Sequence, residues 1–213
     1  MADHGRRGRW RAALAWAAAA GLATLATAGT AGELPGAAQA ARMAPTAGRA
    51  ELRLLHPELI EAKDRKLLAR ASASFKYFGA MAIVPGRGIW HRAAAAAVDY
   101  HGIGPARAAA LAVCNARRAA SDKPCVILAD IVPKGWKGSR GLDLSQDASA
   151  ELRGKFRRAR RHKAFAISPA TGNFGWAGGQ ASLDDALRAA RAACADMGGE
   201  RPKAEDCRAV AGE

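Results

Sequence analysis

The chain has 213 residues, a formal net charge of +14 at pH 7, and a composition that is 50% hydrophobic but only 6% aromatic. This length allows one domain of ordinary size or two small ones and excludes a large multidomain protein. The excess of positive charge favours anionic partners, although a basic surface can also serve solvation alone.

Residues 1–40 are predicted to be a secretory signal. A basic start precedes an uncharged apolar run from Ala12 to about Ala28, and small residues typical of a cleavage site follow. We expect cleavage after about residue 28 or residue 40 and a periplasmic or secreted mature protein, with the general and twin-arginine export routes both open. The alternative is an uncleaved anchor, because the run is about the minimum length that spans a bilayer. Membrane attachment would then depend on this segment alone.

The next part of the chain is predicted to be irregular and then helical. Residues 41–55 begin with small and polar side chains, which predict a disordered start to the mature chain. Residues 56–75 are predicted to form an amphipathic helix, with Pro57 in its first turn and Leu59, Ile60 and Leu67 near one face.

Two later segments, 77–133 and 163–213, share an order of features that predicts an internal repeat. "GAMAIVPGRGIW" (79–90) and "KAFAISPATGNF" (163–174) agree at Ala, Ala, Ile, Pro and Gly. Each is a short apolar run stopped by Pro, as in a strand that ends in a turn. An Ala-rich helix and a strand led by cysteine follow in both. We therefore predict an α+β protein of two β-β-α-β units, each an antiparallel sheet with helices on one face.

The helix of the second unit has the clearer signals. Ser182 can cap its first turn with Asp185 three residues on. One predicted apolar stripe on this helix contains Leu183, Leu187, Ala190, Cys194 and Met197. In the first unit, "WHRAAAAAVDYHG" departs from the second unit, which leaves its second strand open.

The four cysteines, Cys114, Cys125, Cys194 and Cys207, fall into one pair per unit, with separations of 11 and 13 residues. Neither pair has the spacing of a thiol redox motif or a zinc knuckle. In an oxidising compartment the simplest pairing is Cys114–Cys125 and Cys194–Cys207, so that each unit carries its own disulfide. Reduced, buried thiols are the alternative.

The same motif order resembles an exported bacterial domain of unknown function, the DUF4189 type, in its two-repeat alphaproteobacterial form. The resemblance covers roughly 77–133 and 163–211 and rests on structural motifs. It implies an exported, disulfide-bearing small domain without an established activity. Some relatives carry the name 5-aminolevulinate synthase, which this sequence does not support, because the chain is short for a pyridoxal-phosphate enzyme and has no recognisable cofactor lysine.

The linker 134–162 is rich in Gly and charge at first and is predicted to be helical from about residue 148 to residue 160. It ends in a basic run in which Arg157, Arg158, Arg160 and Arg161 are candidates for anion binding. The expected partner is an anionic envelope polymer or an acidic exported protein. Nucleic acid is disfavoured, because no nucleic-acid-binding motif is present and export removes the usual targets. The alternative is a solvated helix face.

Other chemistry is weakly indicated. His91, Asp99 and His101 lie close in sequence, but their spacing matches no regular helix and no further metal ligand is apparent, so we expect no metal, no cofactor and no catalytic residue. Three tryptophans could offer a sugar-stacking surface or simply pack. The sequence favours a non-enzymatic envelope or periplasmic module for binding or stress protection. The alternative is a small enzyme or inhibitor whose site forms between the units.

Overall fold

A computed structural model describes residues 33–46, 48–199 and 201–213. Most of the predicted signal, residues 1–32, lies outside these ranges. The described residues form an α+β fold with antiparallel sheets, five α-helices and two disulfides, as predicted at the level of fold class. In chain order the elements are α1 (Ala37–Met43), β1 (Ala50–Leu54), α2 (Ala62–Ala71), β2 (Gly79–Ile83), β3 (Ala95–Ala97), α3 (Ile103–Arg117), β4 (Val126–Pro133), α4 (Gln146–Glu151), β5 (Ala164–Ile167), β6 (Phe174–Ala177), α5 (Leu183–Ala195) and β7 (Arg208–Gly212).

The strands form two sheets. The first has the order β1-β4-β2-β3, and the second has the order β6-β5-β7. All pairs are antiparallel, and the register shifts once in β2, between Met81 and Ala82, and once in β5, between Phe165 and Ala166. The strand left open in the first unit is β3, a three-residue edge strand.

Helices cover both faces of each sheet, which corrects the prediction of helices on one face. In the first sheet, Ala80 and Ala82 face α3, while Ile83 lies in a cluster with Leu68 of α2. In the second sheet, β5 is buried at all four positions. Its two alanines pack on α5, and its other two side chains pack in a cluster with α1 and α4. Successive side chains of a strand alternate between faces, so a strand buried on both faces needs a covering layer on each.

Small side chains bring α3 and α5 close to their sheets. The fully buried positions are Ala106, Ala110 and Cys114 in α3, and Ala186, Ala190 and Cys194 in α5. Of the predicted apolar stripe of α5, Ala190 and Cys194 are fully buried, whereas Leu183 and Leu187 are half-buried. Ala186, which was not in the prediction, completes the buried face. The predicted cap is confirmed, because the Ser182 hydroxyl accepts a hydrogen bond of 3.1 Å from the Asp185 backbone N–H.

Both predicted disulfides are present. Cys114 in α3 is bonded to Cys125 just before β4, and Cys194 in α5 is bonded to Cys207 just before β7. The Cα atoms are 6.1 Å apart in each pair, within the usual range. Each bond ties the end of a helix to the start of the next strand. Two such bonds indicate an oxidising environment.

The described residues 41–46 and 48–55 contain regular secondary structure, which differs from the predicted disordered start. They contain the end of α1 and all of β1, which pairs with β4 from Ala50–Pro133 to Leu54–Ala129. In α1, Ala40 is fully buried beside the second sheet. The difference has a physical cause: small side chains carry a weak local signal, and partners 75 or more residues away supply their burial.

The helix predicted over 56–75 is shorter. α2 spans Ala62–Ala71, with 3-10 turns before and after it, and it buries Asp64 and Leu68 while Leu67 is exposed. In the linker, α4 continues through a π-helical turn at Leu152–Phe156 to residue 158. Among the described residues, none of the helices combines the length and the apolar character needed to cross a membrane.

Candidate functional site

The four candidate arginines, Arg157, Arg158, Arg160 and Arg161, lie together at the C-terminal end of α4 and in the turn before β5; we call them the basic surface. All four are exposed. Their guanidinium groups make no ion pair and no hydrogen bond with any of the described residues. Four uncompensated positive charges within five residues give a strong local field for an anion. A guanidinium also matches the geometry of carboxylate, sulfate and phosphate groups.

Lys163, which belongs to the basic run of the sequence, has a different role because its side chain is only 5% exposed. Its Nζ donates hydrogen bonds of 3.0 Å to the backbone carbonyls of Arg157 and Ala159. It also lies 3.0 Å from Glu213 Oε1 and over the ring of Phe156. Lys163 therefore satisfies carbonyls at the end of α4 and holds the backbone that carries the basic surface.

Two further contacts fix this turn. The backbone N–H of Gly179 donates to the Arg160 carbonyl at 3.0 Å, and that of Gln180 donates to the His162 carbonyl at 3.2 Å. The hydrogen bond from Lys163 is the main cause that lowers the pKa of Glu213, which keeps this carboxylate charged and committed to Lys163. Glu213 also feels the charge of Arg161, but its ion pair is with Lys163.

His101 and Asn173 join the two halves of the fold. His101 is buried, and its Nδ1 accepts a hydrogen bond of 3.1 Å from the Ser145 N–H. Its Nε2 is therefore the protonated nitrogen, which donates to the Asn173 carbonyl at 2.9 Å. Burial lowers the pKa of His101 to about 4, so the ring is neutral at pH 7. Both ring nitrogens are hydrogen-bonded to backbone groups of the protein, so His101 acts as a structural link between the two halves.

Asp99 lies at the same junction in the left-handed region, with φ of 64°. Its carboxylate accepts a hydrogen bond of 2.8 Å from Arg201 and a longer one of 3.4 Å from the Asp147 N–H. Burial first, and then the charge of Asp147, raises the pKa of Asp99 to about 6. The Asp99–Arg201 ion pair is a second link between the halves.

His91 has a different neighbour from the other two candidates. Its Nε2 lies 3.9 Å from Asp122, whose carboxylate also binds Arg87. The described part of the chain contains no group of three or more His, Cys, Asp or Glu side chains placed to hold a metal ion. Cys114 is consumed by its disulfide and offers no thiol. The structure therefore does not unite His91, Asp99 and His101 in one site.

The three tryptophans lie in different surroundings. Trp90 is 75% exposed and donates a hydrogen bond of 3.2 Å to Asp64. Trp136 packs edge-on against Phe78 in the first half, and Trp176 packs against Phe156 in the second. Packing thus accounts for two of the three rings.

Comparison of the chain with protein-family models, with curated proteins and with solved structures finds no significant match. The resemblance to the DUF4189 type therefore rests on the order of motifs alone.

Proposed function

We propose that this chain is an exported, non-enzymatic binding protein that holds an anionic polymer of the cell envelope at the basic surface. The observation that carries the proposal is the set of four exposed, unpaired guanidinium groups on a turn whose backbone is fixed by buried Lys163. A rigid support reduces the entropy lost on binding, and several simultaneous contacts suit a repeating polyanion. The two disulfides fit a periplasmic or secreted location.

We further propose that the fold is a duplicated β-β-α-β unit of the DUF4189 type. Three features support this. β2 and β5, the first strands of the two proposed units, each lie between the other two strands of their own unit. Both central strands shift register directly after aligned positions, Met81 and Phe165. Both disulfides join the end of the helix to the start of the last strand.

Retention on immobilised heparin, a linear anionic polysaccharide, tests the proposed function. The test variant carries Gln at Arg157, Arg158, Arg160 and Arg161. The control variant carries Gln at four exposed arginines elsewhere and therefore has the same net charge: Arg70, Arg92, Arg117 and Arg191.

We expect the affinity of the wild-type protein to fall steeply with salt, because bound counterions are released. The test variant should lose about 100-fold or more in affinity at low salt, and its salt dependence should flatten. The control variant should stay within a few-fold of wild type. Equal losses in both variants would contradict a localised site. Retention of an acidic protein from the envelope, with no binding to heparin or lipopolysaccharide, would favour a protein partner and overturn the polymer.

A further inference from the structure

A cleft of about 430 Å³ lies between residues 43–46 and the loop 133–143. This volume is in the range of pockets that take small molecules. The lining combines apolar groups, chiefly Met43, Pro45 and Trp136, with cationic groups and one carboxyl. Neither the predicted elements nor the basic surface accounts for it.

Arg153 holds one wall of the cleft in place. Its guanidinium donates hydrogen bonds to three backbone carbonyls at the end of α1, those of Ala41, Ala44 and Pro45. The side chain of Met43 lies close to Gly141 on the facing loop. The wall is therefore part of the fold and is present before any ligand binds.

Glu51 and Arg53 of β1 hold the facing loop. The Glu51 carboxylate accepts a hydrogen bond of 2.9 Å from the Gly135 N–H and binds Arg53, which donates to the Trp136 carbonyl. The Arg53 guanidinium also lies 5.8 Å from the centre of the Trp136 ring, and Phe78 packs on that ring. The indole Nε1 is enclosed and has no acceptor among the described residues.

The charges around the cleft are unbalanced. Lys134, Lys137 and Arg140 are exposed at its rim, and none of them forms an ion pair with a described residue. The opposing carboxyl is Asp143, whose pKa is raised by burial and which accepts a hydrogen bond from Ser139. Three cations beside an apolar, aromatic floor favour a ligand with one acidic end and one apolar end.

We propose that this cleft binds a small organic anion: a carboxylate or phosphate group held by Lys137 and Arg140, with an apolar body packed on Trp136 and Met43. This cleft is separate from the basic surface, and the two differ in the property by which they would select a ligand. The basic surface offers charge alone and suits a polymer. The cleft adds a concave, partly apolar surface and suits a single small molecule.

Titration with phenyl phosphate tests the site, and the indole N–H resonances in the NMR spectrum report the binding. The chain has five tryptophans, and the substitution Trp136→Phe identifies the signal of Trp136. Two comparison probes separate the parts of the ligand: benzyl alcohol has the ring without the charge, and inorganic phosphate has the charge without the ring. We expect a saturable shift of the Trp136 signal with phenyl phosphate, at an affinity at least about tenfold above both comparison probes.

Two variants of equal charge locate the binding. Lys137→Gln with Arg140→Gln should weaken phenyl phosphate about tenfold or more, because each removes a charge-assisted contact. Arg157→Gln with Arg158→Gln removes the same charge from the basic surface and should leave the affinity unchanged. Binding of benzyl alcohol as tight as that of phenyl phosphate, no shift of the Trp136 signal, or equal weakening by both variants would overturn the proposal. Loss of heparin binding in the basic-surface variant leaves this result untouched, so the two proposals fail separately.

Discussion

Replacing Lys163 with Met tests how the fold holds the basic surface. The substitution keeps the volume of the side chain but removes two hydrogen bonds to carbonyls and the ion pair with Glu213. Removing a hydrogen bond to a charged group costs about 1.5–3 kcal/mol when the partner stays buried. Glu213 is partly exposed and regains water, which offsets part of the loss. We therefore expect the free energy of unfolding to fall by about 2–4 kcal/mol, mostly from the two carbonyls left without a donor.

This loss is a large share of a typical total of about 5–15 kcal/mol. Urea unfolding followed by circular dichroism at pH 7, with disulfides intact, measures it. Lys155→Met is the matched control, because Lys155 also pairs with a glutamate at 3.0 Å but its side chain is 68% exposed. Its expected cost is below about 1 kcal/mol. The reasoning is refuted if the two variants unfold within about 1 kcal/mol of each other. Lys163→Met should also reduce heparin retention under native conditions, because the turn is no longer fixed.

Three further predictions follow from burial and close packing. Gly175→Ala should destabilise the protein by about 2–3 kcal/mol in urea unfolding, because the added Cβ would lie 2.8 Å from the Ala193 side chain of α5 and closer still to its backbone. Gly154→Ala, in an open helical position, should instead stabilise it by about 0.5–1 kcal/mol, and a loss at Gly154 would contradict this account. The pKa of His101 is lowered to about 4 in the folded protein, so folding favours the neutral ring. The stability that His101 contributes is therefore complete above pH 6.5, and up to about 3 kcal/mol of it is lost as the pH falls towards 4. The pKa of Asp99 is raised to about 6, so Asp99 changes stability in the opposite direction over the same pH range. The test is therefore the difference in unfolding free energy between wild type and His101→Gln at pH 4.5, 5.5 and 7. If stability depends on pH equally in both proteins, His101 does not act as a neutral link. Intact-mass measurement of the secreted protein should place its N-terminus before residue 34. Cleavage after residue 40 would remove most of α1 and the hydrogen bond from the Ala37 N–H to Glu213. A chain that begins at residue 41 would show that α1 is dispensable.

Local patterns were sufficient for several parts of the fold. The strands that became β2 and β5 end where proline stops an apolar run. The cap at Ser182 needs only the residue three positions on. The two cysteines of each pair are 11 or 13 residues apart, so a disulfide within each unit was the simplest pairing to predict. The four arginines of the basic surface were also found from composition, since charge clustered in sequence stays clustered on a turn.

Other features depend on partners that are distant in sequence. β1 exists because β4 pairs with it, and α1 is held by Glu213 at the other end of the described chain. Lys163 follows the four arginines closely in sequence, and nothing in its local pattern separates it from them; its burial depends on the end of α4 and on Glu213.

The cleft is the clearest case of a feature that only the tertiary structure decided. Its walls come from residues 43–46 and 133–143, and each is positioned by an arginine from a third segment, Arg153 or Arg53. Hydrophobic periodicity, capping and turn preferences act over a few residues, so the sequence by itself determined the class of fold, the disulfides and the charged turn. A site assembled from separate segments forms only when long-range packing brings them together, because no single segment carries its chemistry.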